Sequence, residues 1–327
     1  VYKLLPLLML LVAGSAFAKQ ETLTIYTYSS FASDWGPGPA IKQAFEAECD
    51  CQLKFVALDD GVSILNRLRL EGKHSKADVI LGLDDSLLAA AKATDLLAEH
   101  QQTLPALSVP NGWSDSVFLP YDYGYFAFIY NAEKLKNPPH SFAELLERPE
   151  LTILYQDPRT STPGQGLMLW VQKLYGEQAP SVWQNLAQRT VAVTKGWSES
   201  YGMFLKGEAD LVLSYTSSPA YHISAEQQHQ YQAANFSEGH YLQVEVAAVL
   251  KTSSQPQLAR QFMAFMLTPA FQQHVASGNW MYPVIDTPLP DSFAELTLPE
   301  QALSFSTEQV SKQRSQWLRA WRNAVIR

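Results

Sequence analysis

The sequence predicts an α/β chain folded as two lobes about a hinge, with a cleft between them. Three observations carry this. Short apolar runs alternate with amphipathic stretches, the pattern of parallel βαβ units. Two longer β-rich segments, Tyr123–Tyr130 and Leu242–Leu250, each stand between two groups of such units. The 327 residues also exceed what a single core usually holds.

The elements follow in chain order. Val1-Tyr2-Lys3 gives a short positive start, and Leu4 to Val12 is an apolar run interrupted only by Pro6. Ala16-Phe17-Ala18 then supplies the small residues that a signal peptidase reads. A signal peptide over residues 1–18 is expected, with an apolar core too short to span a bilayer. Leu23–Tyr26 reads as a strand, and Pro39–Glu48 as a helix with Ile41, Ala44 and Phe45 at helical spacing. A strand at Leu53–Ala57 precedes a helix at Val62–Glu71 that Gly72 stops; a strand at Asp78–Leu81 precedes a helix at Ser86–Ala93. The middle third repeats this alternation. Strands are predicted at Thr152–Tyr155, Val191–Val193 and Leu211–Leu213, with helices at Gly166–Tyr175 and Glu199–Lys206. Amphipathic helices at Gln257–Met266 and Pro269–Val275 follow. A basic amphipathic helix from about Glu308 places Trp317 and Trp321 one turn apart, and packing on a lobe surface is its expected use. The two long β segments read as strands crossing between lobe 1, residues 19–123 plus about 243–282, and lobe 2, residues 124–242 plus about 283–327.

Composition narrows the function. Without residues 1–18 the chain keeps 23 Lys+Arg against 32 Asp+Glu, a formal charge of −9. A well-mixed acidic surface disfavours nucleic acid and anionic membrane as partners and tolerates a cationic ligand. The only cysteines are Cys49 and Cys51. In an exported chain a Cys49–Cys51 disulfide and a free pair are both open readings, and a metal site would need more ligands than this pair. No cysteine stands after the signal to carry a lipid.

Enzyme motifs are mostly absent. There is no H-E-x-x-H, no Walker loop and no G-x-G-x-x-G, and Gly196-Trp197-Ser198-Glu199-Ser200 lacks the second glycine of a nucleophile elbow. Ser198 is expected to cap a helix. Aromatic residues, in contrast, gather at strand ends. Tyr28 and Trp35 follow the first strand, and Tyr121, Tyr123 and Tyr125 lie at the first crossing. Trp197 and Tyr201 follow the strand at 191–193, Tyr215 and Tyr221 the strand at 211–213, and Trp280 and Tyr282 a Gly-Asn turn. Strand ends of open α/β sheets border ligand clefts, and rings there suit a flat or cationic ligand. Asp59, Asp60 and Asp122 are acidic residues at the same edge; a helix N-cap or solvated turn is the simpler reading of Asp59-Asp60. Thr160-Ser161-Thr162-Pro163-Gly164-Gln165-Gly166 opens a helix with hydroxyls and backbone N–H groups that suit either helix capping or an anion, with Arg159 adding positive charge.

Seven segments together resemble the periplasmic thiamine-binding proteins of bacterial ABC importers. They are Thr24-Ile25-Tyr26-Thr27-Tyr28, Asp34-Trp35-Gly36-Pro37-Gly38-Pro39, Leu58-Asp59-Asp60-Gly61-Val62, Tyr155 to Gly164, Thr194 to Glu199, Ser214 to Tyr221, and Gly278 to Pro283. The resemblance spans essentially the whole chain. It implies a type II periplasmic-binding-protein fold, and capture of thiamine, thiamine monophosphate or thiamine diphosphate without chemistry. It implies delivery by a periplasmic monomer to a membrane permease. The ligand contacts it implies are Asp60, Gly61, Ser161, Thr162, Trp197, Tyr215, Thr216, Ser217 and Ser218, with Tyr28, Trp35, Tyr221 and Trp280 added. Trp197 and Tyr221 would stack on a ring of the ligand, Asp60 would lie near its positive charge or amino group, and Ser161 and Thr162 would hold its hydroxyethyl or phosphate end. One departure is Ser29, where close relatives are expected to carry an acid. Two alternatives share the fold: a ferric-iron-binding protein using tyrosinate oxygens, and a thiamine-cleaving enzyme using a cleft cysteine. Neither a cofactor nor a resident metal is expected.

Overall fold

The computed structural model describes residues 20–325. The expected signal peptide, 1–18, lies outside the described residues. Among them, no helix is long and apolar enough to cross a membrane.

The first ten strands in chain order are β1 (Thr22–Tyr28), β2 (Gln52–Leu58), β3 (Val79–Asp84), β4 (Leu97–Ala98), β5 (Leu119–Asn131), β6 (Ile153–Gln156), β7 (Thr190–Thr194), β8 (Leu211–Tyr215), β9 (Tyr231–Ala233) and β10 (His240–Leu250), with two-residue strands at Tyr282–Pro283 and Ala302–Leu303 after them. Their main path runs β2-β1-β3-β10-β5-β8-β6-β7. The outer members pair in parallel, β1 with β2 and β3, and β6 with β7 and β8. The inner pairings, β3 with β10, β10 with β5 and β5 with β8, are antiparallel. β5 changes partner along its length. Leu119–Tyr125 pair with β10, and Phe126–Tyr130 pair with β8. This switch makes β5 the crossing strand expected from its aromatic, apolar run.

Two large cores flank the switch. One gathers residues from β1, β2, β3 and β10, including Ile25, Leu53, Leu81 and Val246, together with Phe262 of helix Pro256–Phe265. The other holds Phe128, Tyr155, Trp170, Trp183 and Trp321. Helices cover the faces of the sheet because their apolar residues recur at helical spacing. Several begin a residue or a turn away from the sequence expectation. Helix Thr162–Tyr175 starts a full turn before Gly166, since Ser161 caps it through the Gly164 N–H and Pro163 fits its first turn. Residues 85–87 form a 3₁₀ turn before the short helix Leu88–Lys92, where one helix from Ser86 is expected. The helices Phe142–Glu147 and Ala179–Ala187 are additional.

Cys49 and Cys51 form a disulfide at the end of helix Gly38–Cys49. The last helix, Thr307–Val325, packs Val310, Trp317 and Trp321 into the second core. Trp321 is fully enclosed, and its Nε1 donates to the Tyr155 hydroxyl at 3.3 Å. Trp321→Ala should therefore lower the unfolding free energy by about 3–5 kcal/mol. Urea denaturation checks this; a loss below ~1 kcal/mol would show that the helix contributes little to the core.

Candidate functional site

The carboxyl ends of β1, β2, β7 and β8 open on one cleft of about 300 Å³. Eight of the residues expected at a site line it: Tyr28, Trp35, Asp60, Trp197, Tyr215, Ser218, Tyr221 and Trp280. They come from six stretches of sequence, so the convergence is a property of the fold. Gly61, Ser161, Thr162, Thr216 and Ser217 lie beside the cleft and do not line it.

Rings form much of the wall. Trp197 stacks on Tyr201 with centroids 4.7 Å apart and planes 23° from parallel. Behind them, Tyr201 stacks on His222, and His222 packs on Tyr231. The Tyr201 hydroxyl lies 2.9 Å from His222 Nε2, and His222 Nδ1 lies 2.7 Å from Glu226. Trp35, half exposed, tilts over Trp197, and Tyr221 meets Trp280 edge to face. Residues 275–279, where a helix ending at Val275 and a Gly278-Asn279 turn are expected, form a π-helical turn instead, and Trp280 leaves it with φ +57°. A bulky residue in the left-handed region is a strained arrangement that the surrounding packing must hold. Ser198, expected as a cap, is the second residue of helix Trp197–Leu205, and Gly196 takes the cap position.

Asp60 sits between separate parts of the chain. It ends the turn after β2 and caps helix Gly61–Glu71, the role favoured for it from sequence. Its Oδ1 accepts from the Gly61 N–H at 2.7 Å and from the Thr162 hydroxyl at 3.1 Å. Its Oδ2 accepts from the Ser161 hydroxyl at 2.7 Å and from the Trp197 N–H at 3.2 Å. The hydroxyls expected to hold the ligand's hydroxyethyl or phosphate end are thus directed at a carboxylate of the protein. Arg159 also faces away; it pairs with Asp157 at 2.5 Å and lies over the Trp321 ring. Gly61 is required here, because a Cβ would fall 2.3 Å from the Gly82 carbonyl and 2.5 Å from the Thr162 methyl.

Glu245 is the second carboxylate of the cleft and escaped the sequence reading. It lies on β10 directly opposite Asp122 of β5. The β10 pairing shifts register on both sides of Val246, a bulge that turns the strand at this point. The hydroxyls of Tyr28 and Tyr121 donate to Glu245 Oε2 at 2.7 and 2.6 Å, and Gln243 Nε2 donates to Oε1 at 3.1 Å. Asn279 ties Asp122 to Tyr28. A charged residue in the run Leu242–Leu250, apolar apart from it and Gln243, is the sequence signal that marks Glu245, because such residues are rarely buried without a role.

Burial dominates the electrostatics. It pushes Glu245 up to about 7 against hydrogen bonds from Tyr121, Tyr28 and Asp122, with the charge of Asp60 adding to the rise. Asp60 is also raised by burial, despite the donors around it. Asp122 is held well above the carboxylate range by burial first and Glu245 second. The cleft lining contains no Lys, Arg or His. Two enclosed acids, aromatic faces and no basic side chain make a site for a flat cation.

Folded Glu245 keeps its proton to about pH 7, while the ordinary value is 4.5. The folded state then binds more protons than the unfolded state in that window, so this group destabilises the ligand-free fold as pH rises through it. The lowered imidazoles of His222, His240 and His274 act in the opposite direction. A comparison isolates Glu245: relative to wild type, Glu245→Gln should gain stability as pH rises from about 4.5 to about 7. Parallel stability curves for the two proteins would contradict the assigned shift.

Comparison with known proteins identifies the family. Residues 34–273 match the family described as bacterial extracellular solute-binding protein. The chain is 61% identical over 326 residues to the thiamine-binding periplasmic protein of Salmonella typhimurium, covering 99% of both. It is 49% identical over 319 residues to that of Brucella suis, covering 97% of this chain and 95% of the relative. A solved periplasmic thiamin binding protein superposes with a TM-score of 0.93 at 60% identity, over 94% of this chain and 97% of the other. A ferric binding protein from Campylobacter jejuni, 17% identical, shares the fold with a TM-score of 0.75 over 93% of this chain and all of its own.

Proposed function

The chain belongs to the bacterial extracellular solute-binding protein family, and on that premise we propose that its cleft captures thiamine in the periplasm for delivery to an ABC importer. The architecture is that of type II periplasmic binding proteins. The observation that carries the ligand assignment is the cleft itself: aromatic walls around two enclosed carboxylates, with no basic side chain. Thiamine is a flat cation with two ring systems, and it matches that lining. Its support among relatives is the name shared by those at 61% and 60% identity.

Roles follow from position. Trp197 and Tyr221 face the ligand rings, with Tyr28, Trp35 and Trp280 completing the wall. Tyr215 and Ser218 contact the ligand from the turn after β8, and Thr216 and Ser217 support that turn. Asp60 contributes negative potential while joining Gly61, Ser161, Thr162 and Trp197. Opening and closing occur about β5 and β10, between lobes bounded as 19–123 plus about 243–282 and 124–242 plus about 283–327. Thiamine monophosphate and thiamine diphosphate carry the same rings and belong to the proposal. Their phosphate must lie outside the Ser161–Thr162 cradle or displace Asp60 from it.

The ligand leaves chemically intact, and the protein works as a monomer delivering to a membrane permease. The disulfide cysteines do not line the cleft. Ferric iron is the competing ligand on this fold. Burial and Glu245 raise the phenols of Tyr28 and Tyr215, opposite to what tyrosinate coordination uses. A protein that takes on charge-transfer colour with ferric iron would favour that reading instead.

Calorimetry with thiamine tests the function directly; no heat of binding would overturn it. Trp197→Ala should weaken thiamine roughly 3- to 30-fold, the range of one cation–aromatic contact. Unchanged affinity would remove Trp197 from the binding wall. With their hydroxyls committed to Asp60, Ser161→Ala with Thr162→Ala should weaken thiamine and both phosphates alike. A loss confined to the phosphates would instead mark these hydroxyls as phosphate ligands.

A further inference from the structure

Two tyrosines of the cleft lining have hydroxyls that are held from outside it. The Tyr201 hydroxyl lies 2.9 Å from His222 Nε2, and the Tyr221 hydroxyl donates to Glu226 Oε1 at 3.3 Å. His222 Nδ1 lies 2.7 Å from Glu226 Oε2, which joins the two contacts. Tyr201 and Tyr221 line the cleft, whereas His222 and Glu226 do not. One pair of side chains therefore anchors two separate sets of rings. Trp197 stacks on Tyr201, and Trp280 meets Tyr221 edge to face.

The pair also fixes a protonation state. His222 is fully enclosed and begins a π-helical turn that Glu226 ends. A carboxylate only accepts, so Nδ1 carries the ring proton and Nε2 of the neutral ring accepts from the Tyr201 hydroxyl. That Nε2 is the only hydrogen-bond partner of the Tyr201 hydroxyl among the described residues. The groups facing the imidazole are Glu226 and Tyr221 from its own segment, Tyr201 from helix Trp197–Leu205, and Tyr231 from β9. Glu226 is the one carboxylate among them. Burial lowers the imidazole, with Glu226 acting against it. A second ring proton would go to Nε2. It would face the Tyr201 hydroxyl as a donor, and a buried hydroxyl would lose its acceptor.

The geometry assigns His222 and Glu226 as positioning residues of the aromatic cleft: the pair sets where the Trp197–Tyr201 and Tyr221–Trp280 rings stand, and it does so while the imidazole is neutral. This rests on the thiamine reading and adds to it a control by acidity, exerted through residues outside the lining.

Calorimetry with thiamine on the full protein tests the assignment, with thermal melts to confirm folding. Glu226 is exposed, so Glu226→Ala should fold. Near neutral pH it should bind thiamine roughly 3- to 10-fold more weakly, the range of one hydrogen bond. His222→Gln keeps an uncharged group that cannot gain a proton. As the pH falls from about 7.5 to about 5, wild type should lose roughly 3- to 10-fold in affinity relative to His222→Gln. Asp60 and Glu245 titrate in both proteins and cancel in that ratio. Without ligand, the near-ultraviolet circular dichroism of wild type should respond to the same pH change more than that of His222→Gln. Wild-type affinity in folded Glu226→Ala, or a ratio constant with pH, would overturn the assignment. Wild type that binds no thiamine would instead defeat the thiamine reading. The dichroism then decides the positioning claim by itself, and identical pH responses in the two proteins would overturn it.

Discussion

Asp60 places a carboxylate out of water and surrounds it with donors from widely separated parts of the chain: Gly61 after β2, Ser161 and Thr162 at the head of one helix, and Trp197 at the head of another. An unpaired buried charge would be prohibitively costly, and a paired one is tolerated only when its acceptor positions are met. The contact therefore fixes more than one side chain. It brings helix Gly61–Glu71 against the loop before Thr162, where the Ser63 N–H and hydroxyl both donate to the Thr160 carbonyl. It also sets the N-terminus of the helix whose first residue, Trp197, forms the wall of the cleft. The position of the aromatic wall depends on one acid being satisfied from both sides.

The cleft floor follows a different logic. β10 is buried along its whole length, yet carries Gln243 and Glu245 among apolar residues. Tyr28 and Tyr121 supply hydroxyls that meet Glu245 without adding charge. The negative potential is thereby kept, because no basic side chain of the lining neutralises it. Hydroxyl donors hold the acid in place, while burial keeps its affinity for protons, and for cations, high.

Periodicity made the alternating strands and helices readable, since each buries one regular face. It could not reveal the 3₁₀ turn at 85–87 or the π-helical turn at 275–279, whose hydrogen bonds depart from the helical repeat. The aromatic residues of the site were legible because they lie where strands end. Glu245 was not, as it sits inside an apolar run and only the pairing with β5 shows what it faces. The segment Ser161-Thr162 shows the same limit from the other side. Its hydroxyls and N–H groups announce a place for an anion, but local sequence does not say which anion. The occupant, Asp60, lies about a hundred residues earlier in the chain.

The column of rings behind Trp197 has a consequence for kinetics. Tyr201, His222 and Tyr231 stand one behind another, and Glu226 anchors the imidazole between them. The indole is thus immobilised when the chain folds, not when a guest arrives. Little ordering entropy then remains to be lost on encounter. Related guests should enter at similar speeds and differ mainly in how long they stay.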